Sequence, residues 1–168
     1  AGPDGPFFFR LAEVGKQGKI RAPGGYAILD GFTVSDCVLT ARVRCLQKAG
    51  FKGRDMALLF GYQDPERFYY VHFSNYSNAI HNAILKVDGR DREPIPLLAP
   101  AVARLDDQEW HTLRVWRESA TGLIRAYVDD LSRPVLVGRD TTFGEGKVGI
   151  GSFDDWGDFT GVELAVPR

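Results

Sequence analysis

The 168-residue sequence is poor in the features that most readily betray a function. It holds only two cysteines and three histidines. No apolar run approaches the roughly 20 residues of a helical membrane span. The net charge is −1, so no long-range field steers the chain toward nucleic acid or an anionic membrane. There is no internal repeat, low-complexity tract or linker. No stretch keeps helical periodicity for ten residues, and the best helical candidate, Pro100 to Leu105, is short. The sequence lacks G-x-S-x-G, H-E-x-x-H and C-x-x-C, which argues against a serine triad or a zinc site. His72 and His81 lie nine apart across a loop, which is no recognised ligand spacing. The chain opens on Ala1 without a signal-peptide pattern, so Ala1 follows a processing site or marks an arbitrary boundary.

The two cysteines are constrained by geometry. Cys37 to Cys45 alternates like one long strand, and eight residues at ~3.3 Å separate the thiols by about 26 Å. A disulfide needs Cα atoms within roughly 7 Å. The pair is therefore expected to be reduced and to face the core with Leu39, Ala41 and Val43. Cysteine usage then leaves the redox compartment open.

What is present is strand after strand, with turn signals every ten or so residues. A chain of this length buries roughly 70% of its unfolded surface and needs no staple. The expectation is one all-β domain over residues 1–168, a two-sheet antiparallel jelly-roll β-sandwich. The N-terminal Pro6 to Ala12 reads as an edge strand, and the prolines of Glu93 to Ala103 allow an edge strand at best.

Phe60 to Ile84 is the richest stretch. Tyr69, Val71 and Phe73 alternate with Tyr70, His72 and Ser74, a strand with two different faces. The first set is expected in the core. The second is either a ligand surface or an ordinary solvated face. Asn75 and Asn78 follow in a turn and offer donors and acceptors together. His81 re-enters on the next strand, where a short hairpin would bring it beside His72 as an acid or base near neutral pH. The same alternation elsewhere places Arg42, Arg44, Arg114, Trp116, Arg125 and Tyr127 on non-core faces. Aromatic rings stack on sugars and guanidinium forks bind hydroxyls or carboxylates. Of Trp110 and Trp116, one is expected at the core edge and the other as a sugar platform.

Several pieces together resemble a family. Trp110-His111-Thr112-Leu113-Arg114-Val115 is similar to the W-H-x-hydrophobic-x-V strand of laminin G-like and pentraxin-like domains. Gly122 to Asp129 resembles the strand that comes after it, and Gly146 to Phe153 the G-x-hydrophobic-G-hydrophobic strand near the end. With Phe68 to Phe73, these resemble laminin G-like domains of the concanavalin A-like lectin/glucanase superfamily. That resemblance implies the jelly roll, but its members include lectins, hydrolases, lyases and adhesion modules. The acidic E-x-D-x-(x)-E strand of its retaining glucanases is absent, and the seven glutamates are scattered. The R-x-E-hydrophobic-R, Q-x-H and Y-F-K-x-G-x-Y strands of its alginate lyases are absent too. His111 occupies a place that the family fills without catalysis.

The family's structural calcium site uses an Asp two residues into the last strand. Thr160 stands there in Phe159-Thr160-Gly161-Val162, which leaves Asp154, Asp155 and Asp158 as candidate oxygen ligands. No other cofactor is implied. The expected function is recognition of a carbohydrate, with an anionic polysaccharide among the candidates, linked to polysaccharide processing. The alternatives are a lyase or glycoside-cleaving domain centred on Tyr70, His72 and His81, and a laminin G-type adhesion module. The expected setting is extracellular or periplasmic, with no nucleic acid partner and no membrane span.

Overall fold

The computed structural model describes residues 8–13, 15–99 and 105–167. These hold twelve strands and no helix: β1 (Phe9–Leu11), β2 (Gly25–Ile28), β3 (Cys37–Cys45), β4 (Asp55–Asp64), β5 (Arg67–Ser74), β6 (Ala83–Asp88), β7 (Glu93–Pro94), β8 (His111–Glu118), β9 (Leu123–Val128), β10 (Leu136–Arg139), β11 (Lys147–Ser152) and β12 (Gly157–Ala165). They form two six-stranded antiparallel sheets. Sheet A runs β1-β12-β3-β8-β9-β10 and sheet B runs β2-β11-β4-β5-β6-β7. The expected edge strand near the N-terminus is β1, although Phe7 lies outside the described residues. Of the short helical candidate over 100–105 only Leu105 is described, and it is buried in the core.

Sheet A follows the period-two rule. Along β3 the side chains alternate between buried and half-buried, with Cys37, Leu39, Ala41, Val43 and Cys45 inward. Leu113 and Val115 of β8 and Ile124 and Ala126 of β9 complete that layer. From sheet B, Met56, Leu58, Phe60, Tyr69, Val71, Phe73 and Ile84 meet it to form the core between the sheets. Both cysteines are free and buried, as the strand spacing requires. Burial pushes the Cys37 thiol up to about 12.

Sheet B departs from the simple pattern. Its other face carries Ala57, Leu59, Phe68, Tyr70, Ala83, Leu85 and Val87, and all of them are buried in a second apolar cluster. Ile20, Ala22, Ile80 and Phe153 roof that face. Tyr70 and His72 do point away from the main core, as the alternation predicts. They do not line a solvated ligand surface, because their exposures are 0% and 1%. The physical reason is that β4 and β5 are apolar on both faces, so both faces need cover.

At the start of β8, His111 is clamped between two carboxylates. Its Nδ1 lies 2.8 Å from Asp129 Oδ2 and its Nε2 lies 3.0 Å from Asp107 Oδ1. Carboxylates only accept, so the protonated ring can donate to both at once. Burial alone would lower the His111 pKa, but the bonds to Asp129 and Asp107 outweigh it and raise it above the usual value. Asp129 itself sits in the left-handed region at φ 58° while its carboxylate also accepts from Thr112 N–H at 2.8 Å.

Two outcomes are expected. A thiol reagent should modify the native protein slowly and count two thiols after denaturation; an intramolecular disulfide would contradict the long β3 strand. The His111 clamp should contribute under about 1 kcal/mol, because its carboxylate partners are half-exposed. A histidine whose folded pKa is raised stabilises fully below about 6.5 and loses that contribution as pH rises through the folded pKa. Melting temperature measured from pH 6 to 9 should therefore fall more steeply in the parent than in His111→Gln.

Candidate functional site

The loops joining β3 to β4 and β11 to β12 cross between the sheets at one end of the sandwich. The β5–β6 loop meets them there. Between them opens a cleft of ≈ 400 Å³, within the usual size range of ligand pockets. Phe51, Tyr76 and Trp156 supply apolar walls, Gln47, Asp154 and Asp155 supply acceptors, and Arg21, Lys52 and Arg92 supply cations.

Each wall has a local cause. Phe51 sits in Gly50-Phe51-Lys52-Gly53, where Gly53 adopts φ 97°, a conformation that disfavours side chains. That turn is pinned by Asn75, whose Oδ1 accepts from Gly53 N–H at 3.0 Å and whose Nδ2 donates to Phe51 C=O at 2.9 Å. Phe51 is left 53% exposed. Trp156 is half-buried, and its carbonyl accepts from Leu46 N–H at 2.9 Å, tying the two crossing loops together.

Behind the cleft lies a buried carboxylate hub. Asp55, fully buried, accepts from Phe153 N–H at 2.7 Å and from Ser152 Oγ at 3.0 Å. Its own N–H donates to Asp155 Oδ2 at 2.7 Å, and Gln47 Nε2 donates to Asp155 Oδ1 at 2.9 Å. His72 Nδ1 donates to Ile80 C=O at 2.6 Å, so its Nε2 is turned toward Asp55 Oδ2 at 3.4 Å. Burial would raise the Asp55 pKa, but His72 and the Phe153 and Ser152 donors hold it below the usual carboxylate range. Asp155 has weaker compensation, and burial pushes it up to about 6. Asp154 is also raised, by burial and by Asp55 nearby, yet it stays exposed on the cleft wall.

The residues singled out from sequence fall into two groups. The first gathers at the cleft. His81 does come beside His72, with ring centroids 4.9 Å apart. His81 alone of the Tyr70, His72 and His81 set lines the cleft. Burial lowers its pKa to about 4, so it does not titrate near neutral pH as the sequence suggested. Its Nδ1 donates to Asn78 Oδ1 at 3.0 Å and its Nε2 faces the Tyr76 hydroxyl at 3.4 Å. Tyr70 is sealed, with its hydroxyl accepting from Arg92 Nη1 at 3.2 Å. Asn75 and Asn78 shape loops; Asn78 Oδ1 also accepts from the backbone N–H groups of Ile80 and His81.

The second group lies on the outer face of sheet A, on the far side of the core. Arg42, Arg44, Arg114, Trp116, Arg125 and Tyr127 share that face, and Trp110 joins them. Neither tryptophan is in the core. Both are half-buried and both carry a guanidinium, Arg44 at 4.8 Å over Trp110 and Arg125 at 4.6 Å over Trp116. The expected division into one core-edge ring and one platform does not hold.

The proposed calcium set is also rearranged. Asp154 and Asp155 stay in the loop, but Asp158 enters β12 and faces out of sheet A, where it accepts from Arg10 Nε at 2.7 Å and Arg44 Nη2 at 2.6 Å. The third carboxylate near Asp154 and Asp155 is Asp55, with ligand oxygens of all three within 4.8 Å. Such oxygens suit a hard cation, but Asp55 and Asp155 already accept from protein donors on both of their oxygens. Those hydrogen bonds are enough to account for the cluster.

Phe51, Lys52, Tyr76, Arg92 and Trp156 were not singled out from sequence. The signal available was an aromatic between two closely spaced glycines, and a tryptophan inside an acidic turn.

No protein-family model matches the sequence, and no curated protein matches it. Solved structures do. The carbohydrate-binding module CBM66 from Bacillus subtilis superposes with a TM-score of 0.64 over 94% of both chains, at 20% identity. CG-16, a homodimeric agglutinin from chicken liver, gives a TM-score of 0.52 over 83% of this chain and 99% of that one, at 8% identity. A heptameric SAP-like pentraxin from Limulus polyphemus gives 0.50 over 95% and 77%, at 10% identity. At these identities the likeness is one of fold, and the fold is a jelly-roll β-sandwich.

Proposed function

We propose that the protein is a carbohydrate-recognition module of the laminin G-like kind, folded as one domain, and that a sugar unit enters the loop-end cleft. The observation that carries this reading is the pairing of solvent-facing aromatic walls with a carboxylate and an amide at the same opening. Phe51 and Trp156 line the opening beside the exposed carboxylate of Asp154, which accepts from hydroxyls, and Gln47, whose amide keeps one N–H and one lone pair beyond its bonds to Asp155 and Lys48. Sugar rings are apolar on their faces and polar at their edges, so they need both. The structural likeness to a carbohydrate-binding module and an agglutinin supports the same reading.

Catalysis centred on Tyr70, His72 and His81 has less support. Tyr70 and His72 are sealed from any substrate, and both ring nitrogens of His81 are occupied within the loop.

The test is a panel of neutral and uronate-containing oligosaccharides, read by calorimetry, with absorbance near the unsaturated-uronate band to detect product. Binding without product is expected. Phe51→Ala and Trp156→Ala should each weaken binding about tenfold, equivalent to about 1.4 kcal/mol. Their melting temperatures should move by no more than about 4 °C, since neither ring is fully buried. Unchanged affinity in both variants would remove the site from this cleft.

A further inference from the structure

One wall of the cleft carries positive charge that bonds no carboxylate. Arg92 sits in the turn between β6 and β7 and is only 9% exposed. A guanidinium placed so deeply is ordinarily paired with an acid. Here its side-chain partners are a phenol and a ring. Nη1 donates to the Tyr70 hydroxyl at 3.2 Å, and the guanidinium carbon lies 3.6 Å from the centroid of Phe153. Nε and Nη2 meet no acceptor among the described residues, yet neither is sealed from solvent. Arg92 lines the cleft, so that unbonded edge is reachable from the opening.

Two more cations line the same cleft. Arg92 N–H donates to Arg21 C=O at 3.0 Å, and Arg21 N–H donates to Asp91 Oδ1 at 2.8 Å. These bonds stitch the two segments together and place Arg21 beside Arg92. The Arg21 guanidinium carbon lies 5.6 Å from the same Phe153 centroid. Lys52 Nζ lies 4.8 Å from the centroid of Tyr76, whose ring meets that of His81 at 4.3 Å. Neither Arg21 nor Lys52 has a carboxylate on its side chain among the described residues. His81 reports the field of this wall. Burial lowers its pKa most, and His72, Arg92 and Lys52 lower it further against the pull of Asp55. Asp154 lines the cleft too, but Arg92 and Arg21 act on it through space, without a bond.

We propose that the cleft takes an acidic sugar unit, with carboxylate or sulfate oxygens on Arg92, Arg21 and Lys52 and ring hydroxyls on Asp154. The proposal rests on the cleft being the sugar site. An acidic group offers two neighbouring oxygens to one guanidinium edge. A largely buried cation gains more from that partner than an exposed one, because less water screens the pair. A neutral sugar would displace water from the same N–H groups and leave Arg92 without a counter-ion.

The experiment is calorimetry on the whole protein with short oligomers of galacturonate, of alginate and of sulfated galactose. Each is measured beside an uncharged counterpart, the methyl ester for the first two and the desulfated oligomer for the third. At least one acid should bind about tenfold or more tighter than its counterpart, the worth of one charge-assisted hydrogen bond. Which pair shows the preference separates carboxylate from sulfate. The preference should shrink with added salt. Arg21 and Lys52 are exposed, and Arg21→Gln/Lys52→Gln should lower the ratio of acid to neutral affinity about tenfold. Arg92→Lys keeps the charge but loses the planar fork, so it should lower the ratio several-fold. Should that buried variant fail to fold, the exposed pair decides alone. No binding by any acid, equal affinity for acids and their counterparts, or a ratio unmoved in Arg21→Gln/Lys52→Gln would overturn the proposal. If neutral oligomers bind and Phe51→Ala and Trp156→Ala weaken them, the cleft stays the sugar site and only the preference for acid fails. Acid binding that ignores Phe51→Ala and Trp156→Ala would overturn both readings.

Discussion

The cleft depends on one buried carboxylate. Asp55 opens β4, and its oxygens take the N–H of Phe153 and the hydroxyl of Ser152 while its own N–H is taken by Asp155. Those bonds fold the β11–β12 loop back over sheet B. Phe153 then becomes a lid, with Arg92 3.6 Å above its ring and His72 stacked at 5.8 Å. The same fold of the loop puts Asp154 and Trp156 at the cleft mouth. An ionised carboxylate in that position is tolerable only because several donors and His72 face it. Removing a donor from a buried acceptor costs about 1–3 kcal/mol, and more where the acceptor is charged, a large share of the roughly 5–15 kcal/mol that holds a domain together.

The burial of both faces of sheet B explains why the polar residues there became scaffolding. A tyrosine and a histidine between two apolar layers must find partners inside the protein. Tyr70 finds Arg92 and His72 Nδ1 finds Ile80 C=O, while His72 Nε2 sits 3.4 Å from Asp55 without a hydrogen bond. The contacts to Arg92 and Ile80 reach loops that border the cleft, and Asp55 anchors a third by accepting from Phe153 N–H. The buried polar residues therefore set the position of the site without touching what enters it. Asn75 and Asn78 act likewise, as struts under Phe51 and His81.

Sheet A was legible in the sequence because its outer face is wet. Buried and half-buried positions alternate along β3 and β8, so the inward set, the reduced cysteines and the outward arginines follow from period two, with Arg117 a charged residue on the inward side. Sheet B gave a different signal in Met56-Ala57-Leu58-Leu59-Phe60, an unbroken apolar run that reads as a strand covered on both faces. What covers it was not legible. Ile20, Ile80 and Phe153 come from three distant segments, and nothing local in any of them records that they meet. The same holds for the cleft: Phe51 and Trp156 sit in segments recognisable as turns, but their convergence depends on two loops that cross between sheets. Asp154, Asp155 and Asp158 show the limit from the other side. They are neighbours in sequence, yet the start of β12 carries Asp158 out to the arginines of sheet A.

The loop-end cleft and the outer face of sheet A differ in how they are rigidified, and that difference arises from the sandwich itself. Strands deliver a repeating grid, so sheet A can space charges at fixed intervals, with cation–π contacts between neighbouring side chains. Loops have no intrinsic register, so the cleft needs side-chain hydrogen bonds to fix it, and it has them at Asn75, Asn78, Gln47 and Asp55. Ordering those groups before a ligand arrives lowers the entropy lost on binding.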